Sequence, residues 1–412
     1  MRWIRSSSDE LSATADPSGA SAPTIRTHVR TGARRRATGA CVAVVVAAVA
    51  LLASACIPQG TWKATAPAPV GITPAYASDF ISVSCPTVSF CMAVGEAGDT
   101  PTAANDWTQP IVQTWDGAAW TDRSAAFQSL KGEDGADFDA VSCASATSCI
   151  AQWNTWGSGD INPRIAGWNG STWTVAPMDL GWYTAISCVP GGTCLAMSDG
   201  QDRATWDGAA FHLSAADATP DLTALDCVSS TLCIGQTADA ESATFDGATW
   251  TVTPMPPVPG DPAAFPQFGA TSIDCSTSSW CVAVGGIASQ ATASAPATTV
   301  PASALWNGTT WSYPTVPAPA NAVLTSVSCA NGAECVAVGT TIDVTFPYSY
   351  SPVQAVWNAF GWTSIANPPG TGTVAASVSC PPNATVGCMG VGGVIRSVTS
   401  TLRAARFTWP HP

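Results

Sequence analysis

Seven pairs of cysteines recur along this chain in one setting: a short β-prone run ending in Ser-Cys or Asp-Cys, about five residues, a second Cys, and an apolar stretch tending toward Ala-Val-Gly. The pairs are Cys85/Cys91, Cys143/Cys149, Cys188/Cys194, Cys227/Cys233, Cys275/Cys281, Cys329/Cys335 and Cys380/Cys388. A second signature follows them, as in Trp115-Asp116-Gly117 with Trp120, Trp168-Asn169-Gly170 with Trp173, and Trp306-Asn307-Gly308 with Trp311. Such self-similarity marks a small unit that cannot bury its apolar surface alone and must stack on copies of itself.

Successive first cysteines lie 58, 45, 39, 48, 54 and 51 residues apart, close to the roughly 40 to 50 residues of a four-stranded blade. In one unit the strands read as 271–275, 281–285, 303–306 and 310–313. Asn307-Gly308 joins the last two, because Asn-Gly and Asp-Gly accept the positive φ that tight hairpin turns require. The sixth unit has drifted to Trp357-Asn358-Ala359. The expectation is an all-β, seven-bladed β-propeller of four-stranded antiparallel blades, with blade cores near 79–122, 137–176, 182–214, 221–256, 269–316, 322–368 and 374–409. The seventh unit stops at Trp409-Pro410-His411-Pro412 without a fourth strand, and Gly60-Thr61-Trp62-Lys63-Ala64-Thr65 has the character of the missing piece. The N-terminal strand is therefore expected to close the last blade, pairing its outer edge and tying down both termini.

Cysteine arithmetic fits this plan. The total of 16 resolves into the 14 of the repeats, Cys41 and Cys56. Cys41 lies in an apolar run over 40–55, preceded by Arg30, Arg34, Arg35 and Arg36 and followed by Ala53-Ser54-Ala55-Cys56. Residues 1–55 read as a signal peptide with a long n-region, its apolar run short of the about 20 residues a membrane helix needs. The junction resembles a bacterial lipobox, so Cys56 is the expected lipidation site and the first residue of a propeller domain over 56–412; simple cleavage nearby is the alternative. Export places the chain in an oxidising compartment, extracytoplasmic, either secreted or anchored to the outer face of the cell membrane. Disulfides are expected rather than zinc, since the spacing is not Cys-x-x-Cys and only His212 and His411 could assist. A bridge closing so short a loop contributes about 2 kcal/mol in the chain-entropy model, acting as a staple on one hairpin.

From Cys56 onward, 25 acidic residues face 8 basic ones, a formal charge of −17 on 357 residues. Nucleic acid and anionic membrane surfaces need basic stripes, so neither is an expected partner, and the membrane is reached only through the lipid. No cofactor, metal site or oligomer is called for; a monomer is expected.

In a four-stranded meander the first and third turns share one sheet edge, and the other connections share the opposite one. The cysteine and Asn-Gly turns therefore face one way. The long connections, over 96–110, 122–139, 153–163, 254–269, 286–302 and 340–352, face the other. Rigidly held loops carry function, and aromatic side chains on them supply contact area at low entropic cost. Trp107, Trp153, Trp156, Tyr348 and Tyr350 are the candidate ligand-binding residues, with packing of the loops onto the blades as the alternative role. The recurring tryptophans within the units are expected to wedge between blades. The residue before each first cysteine is Ser84, Ser142, Ser187, Asp226, Asp274, Ser328 or Ser379; a polar ring at the channel and local hydrogen bonds to adjoining turns both account for it. Glu133, Asp134, Asp137 and Asp139 offer oxygen atoms to Ca²⁺, but in a spacing that matches no standard loop.

Gly285-Gly286 with Trp311, and Gly392-Gly393, resemble the Kelch and galactose-oxidase type of blade. The run Thr244-Phe245-Asp246-Gly247-Ala248-Thr249-Trp250 is similar to the Asp-box hairpin of sialidase-like propellers, one residue shorter. The Ser-Cys, Cys-Val-Ala-Val-Gly and Trp-Asn-Gly pattern resembles that of secreted actinobacterial repeat proteins. These resemblances specify architecture. The catalytic residues of those families do not carry over: the first strands lack the arginine triad of sialidases, and two histidines are too few for the copper site of galactose oxidase. No catalytic residue is assigned. The leading expectation is a non-catalytic surface lipoprotein binding a protein or glycan through its insertion face. A carbohydrate-active hydrolase or lyase, needing only two carboxylates, and a passive cell-envelope scaffold are the alternatives.

Overall fold

The computed structural model describes residues 60–70, 77–98, 108–127, 136–157, 160–176, 183–198, 202–215, 220–258, 267–288, 299–319, 321–343, 349–358, 361–366, 373–382, 387–394 and 402–409. The expected signal peptide and Cys56 lie outside the described residues. The strands form seven four-stranded antiparallel sheets, six of them simple meanders in chain order. Their inner strands are Ala77–Thr87, Ala136–Ser145, Tyr183–Cys188, Leu222–Ser229, Gln267–Thr277, Ala322–Asn331 and Thr373–Ser379. Each touches the next, and the last touches the first, so the seven blades close a ring.

The seventh sheet has a different origin. Its outer strand is Thr61–Thr65, paired antiparallel with Leu402–Thr408 so that Trp62 stands opposite Phe407 and Lys63 opposite Arg406. The blade lacking a fourth strand in sequence order thus receives it from the start of the domain, and the edge of Leu402–Thr408 is paired as the third strands of the other blades are. Trp62 is 9% exposed and belongs to the apolar cluster between the sixth and seventh blades, with Val338, Val356 and Phe407.

Local chemistry explains the repeat. All seven cysteine pairs are bonded as expected: Cys85–Cys91, Cys143–Cys149, Cys188–Cys194, Cys227–Cys233, Cys275–Cys281, Cys329–Cys335 and Cys380–Cys388. The bridges span first and second strands, and Cys143/Cys149, Cys188/Cys194, Cys227/Cys233 and Cys275/Cys281 stand directly opposed in register. At the third turn, Asn307 Oδ1 accepts the N–H groups of Thr309 and Thr310 at 3.0 and 2.9 Å, while Gly308 takes φ of 95°. That turn aligns Trp306 with Trp311 across the hairpin, ring centroids 5.4 Å apart. Packing then occurs between blades, with one apolar cluster at each of the seven junctions. Three outer-strand tryptophans bridge these junctions with their indole N–H: Trp311 to Ser242 Oγ and Trp362 to Ser303 Oγ, both at 2.9 Å, and Trp120 to Thr65 Oγ1 of the closing strand at 3.1 Å.

Each inner strand carries a β-bulge four residues before its first cysteine, at Ile81, Asp139, Thr184, Thr223, Thr271, Thr325 and Ala376. A bulge bends a strand and re-aims one side chain. It also explains the glycine of the Ala-Val-Gly pattern. At Gly285, a Cβ would collide with the carbonyl oxygen of Gly269 on the bulged strand, and Gly95 and Gly339 meet the carbonyls of Asp79 and Val323 in the same way.

Candidate functional site

The two faces of the ring are unequal. First and second strands join through tight turns, as from Thr87 to Phe90, and third and fourth through turns such as Trp115 to Trp120. The longest connections leave from the opposite edge, as from Gly98 to Thr108, Asp122 to Ala136, Pro254 to Gln267 and Ala288 to Thr299, but Gly157 to Asp160, Ser198 to Asp202 and Thr237 to Glu241 are short, and the long connection expected over 153–163 is mostly strand. The expected sidedness therefore follows from the strand order.

Of the five aromatic candidates on that face, Trp107 and Tyr348 lie outside the described residues. Trp156 and Tyr350 sit in strands at that edge, opposite Ile161 and Ile342, and their side chains lie outside the description. Trp153 is a correction. It is only 1% exposed and packs edge-on against Phe127, centroids 4.9 Å apart, at the junction of the first two blades. Its side chain points from the second strand into the neighbouring blade, so it offers no ring face to a ligand.

Both cysteines of each bridge are buried in the apolar clusters between blades, as with Cys188 and Cys194, Cys227 and Cys233, and Cys275 and Cys281, and the first members also border the lower part of the channel.

The channel supplies the site that sequence reasoning left open. The residue before each first cysteine accepts a hydrogen bond from the backbone N–H of the first cysteine in the next blade. Ser379 serves Cys85, Ser84 serves Cys143, Ser142 serves Cys188, Ser187 serves Cys227 and Ser328 serves Cys380, each at 2.9 Å. Asp226 Oδ2 serves Cys275 at 2.8 Å, and Asp274 serves Cys329. Polar ring and hydrogen bonding prove to be one device, with bonds running between blades rather than to adjoining turns. Four serines two residues earlier repeat it: Ser82, Ser272, Ser326 and Ser377 accept from Val141, Val327, Val378 and Val83 at 3.1, 3.1, 3.1 and 3.2 Å.

This waist lies between two cavities of about 320 Å³ each, one toward the long connections and one ringed by the first cysteines. Asp226 and Asp274 occupy neighbouring positions in it. Ser187 donates to Asp226 Oδ1 at 2.9 Å and Ser328 to Asp274 Oδ2 at 3.0 Å. Both carboxyls are pushed up, first by burial inside the channel wall; that of Asp274, further raised by the charge of Asp226, reaches about 8. At neutral pH the Asp274 carboxyl therefore largely keeps its proton.

A second acidic group sits where the first two blades meet. The bulge turns Asp139 into the upper cavity, where its Oδ2 accepts from Gln152 Nε2 at 3.2 Å and Asn154 Nδ2 at 2.9 Å. Burial, then Asp137, raises its carboxyl. Glu96 is pushed up to about 7 by burial and by the charges of Asp137, Asp79 and Asp139. The Ca²⁺ possibility gains nothing: Glu133 and Asp134 lie outside the described residues, and among the described residues no three metal-ligating side chains are grouped to hold an ion. The signal for the waist was visible as the recurring Ser or Asp before each first cysteine. The signal for Asp139 was not, because a bulge leaves no mark in composition.

These features define a seven-bladed propeller with disulfide-stapled blades. No protein-family model matches the sequence, and no curated protein matches it. Among solved structures the chain is similar to YCF48 bound to D1 peptide, with a TM-score of 0.52, 11% identity, and 86% of this chain covering 100% of that one. It is similar also to the WD40 repeats of RRP9, at 0.53, 10%, 85% and 99%, and to YCF48 from Cyanidioschyzon merolae, at 0.50, 10%, 84% and 99%. At such identities the likeness is one of fold.

Proposed function

We propose that this protein is an exported, lipid-anchored propeller, held by Cys56, that binds a protein or glycan partner at the cell surface through its long-connection face and performs no catalysis. The observation that carries the reading is the sidedness: a stapled scaffold with short, hydrogen-bonded turns on one face and all its long connections on the other. Such a scaffold holds loops rigidly enough to bind without a large ordering cost. Seven disulfides suit an oxidising compartment. The fold is also that of a protein whose structure contains a bound peptide. The test is a glycan array and an affinity capture with the exported protein, followed by alanine at Trp107, Trp156, Tyr348 and Tyr350. Binding is lost with these changes and kept with changes at the turn-face residues Asp116 and Asp246; the reverse pattern overturns the assignment. Mass spectrometry of the mature N-terminus, with Cys56→Ser as control, tests the anchor.

A second reading, a carbohydrate-active hydrolase or lyase, is favoured by Glu96. A carboxyl held near 7 beside Asp79, Asp137 and Asp139 has the properties of a general acid. Incubation with a panel of polysaccharides separates the readings: cleavage abolished by Glu96→Gln supports the enzyme, and intact substrates support the binder.

A further inference from the structure

Charge is spread unevenly around the ring. From Cys56 onward all 25 acidic residues lie between Asp79 and Asp343, so the segments that build the seventh blade, 60–65 and 373–409, contain none. The same segments hold Lys63, Arg396, Arg403 and Arg406, four of the eight basic residues. The formal charge is therefore +4 on the seventh blade and −21 on the rest of the domain. The overall acidity that argued against a membrane surface belongs to the other six blades.

Two of these cations are placed against their own electrostatics. Lys63 of the closing strand stands directly opposite Arg406 in the antiparallel register, on the same face of the sheet. Like charges so opposed repel each other, and among the described residues neither side chain has an ion-pair or hydrogen-bond partner. Lys63 is exposed; Arg406 is half-buried, its guanidinium lying where any side chain at Gly387 would collide with it. Arg403, on the other face of the same strand, is exposed as well, and Arg396 lies outside the described residues. The outer rim of this blade thus offers positive charge that the protein itself leaves unanswered.

The tether selects the anion. Cys56 precedes Thr61 by five residues, a span of at most about 18 Å when extended. An acyl anchor at Cys56 holds the start of the seventh blade within that distance of the bilayer in every orientation of the ring, whereas the acidic blades can turn away. We propose that the rim of the seventh blade, through Lys63, Arg403 and Arg406, docks on anionic lipid headgroups and fixes how the propeller stands on the membrane. Charges farther than about 10 Å from the surface are screened at 0.1 M salt, so the headgroups sense the blade beside them rather than the net charge, and an acidic blade brought as close is repelled. The contact adds an electrostatic signal to the lipid one. It rests on the proposed anchor at Cys56 and leaves the long-connection face free for its partner.

The test removes the acyl chain and keeps the blade. The mature chain from residue 56, secreted with Cys56→Ser behind a cleavable signal peptide, is sedimented with vesicles of about one-third phosphatidylglycerol in phosphatidylcholine at about 0.1 M salt. It binds them, binds vesicles of phosphatidylcholine alone at least tenfold more weakly, and is released at about 1 M salt. Lys63→Gln with Arg403→Gln, both at exposed positions, weakens binding at least fivefold. Lys63→Arg with Arg403→Lys keeps both charges and stays within twofold of the parent. Arg123→Gln with Lys131→Gln removes the same charge from outside the seventh blade and also stays within twofold. Absence of binding, equal binding to the two kinds of vesicle, or equal loss from the two Gln pairs overturns the proposal. So does self-association abolished by Lys63→Gln with Arg403→Gln, which would assign the surface to a second copy of the chain. Mass spectrometry of the natural mature N-terminus reads the anchor separately: an unlipidated chain that still binds by charge loses the anchor and keeps the surface, and a lipidated chain without charge-dependent binding loses the surface alone.

Discussion

The Oγ of Ser84 accepts the N–H of Cys143 at 2.9 Å, so a side chain of the first blade holds the stapled hairpin of the second. The same bond recurs at every junction. It satisfies a backbone donor that the inner strand, having no further strand inside it, cannot satisfy within its own sheet.

Ser84→Ala leaves that donor without its partner and costs about 1–3 kcal/mol. Ser84→Asp, which imitates the fourth and fifth blades, keeps the acceptor and costs less near pH 5, where the new carboxyl can stay protonated. Urea unfolding of the two variants at pH 5 gives the comparison; equal losses would separate the waist bonds from stability.

Asp274 makes stability depend on pH. Its carboxyl ionises near 4 in the unfolded chain and at about 8 in the folded one, so the folded protein holds the proton more tightly. Its contribution is most favourable below pH 4, falls as pH rises from 4 to 8, and is level above that, with a slope of at most about 1.4 kcal/mol per pH unit. Asp274→Ser removes this dependence. The variant gains on the parent protein in thermal unfolding as pH increases from 5 to 8, and parallel curves would refute the assignment.

Trp62→Ala strips the closing strand of its buried anchor against Phe407, whose ring centroid is 5.2 Å away. The loss is about 3–5 kcal/mol, the range for large aromatic truncations. A loss below about 1 kcal/mol on denaturant unfolding would mean that the strand contributes little to closure.

Trp153→Ala acts on stability, by a similar about 3–5 kcal/mol, because its ring is enclosed against Phe127. Partner binding by the folded fraction is unchanged. A variant as stable as the parent that lost binding would return Trp153 to the ligand surface.

Replacing Cys329 and Cys335 together by serine costs about 2 kcal/mol, and the ring persists. Circular dichroism at 25 °C shows the native strand spectrum. Non-reducing peptide mapping of the parent protein finds the seven local bridges and no free thiol among the fourteen.

Much of this architecture could be read from residue order alone, because its determinants are local. A disulfide across a short hairpin, an Asn307-Gly308 turn and the tryptophans flanking it specify one blade each, and their sevenfold recurrence with an unmatched end specifies a ring closed by Thr61–Thr65. What surrounds the channel could not be read that way. Ser84 and Cys143 are far apart in sequence, Asp226 and Asp274 come from separate blades, and Asp139 faces the cavity only because a bulge shifts the alternation of its strand. Tertiary packing likewise moved Trp153 from surface to core, since burial depends on which neighbour a side chain meets. Hairpin geometry is a matter of a few consecutive dihedral angles and was present in the sequence; the proximity of charges and the direction of side chains arise only when seven sheets are brought around a common axis.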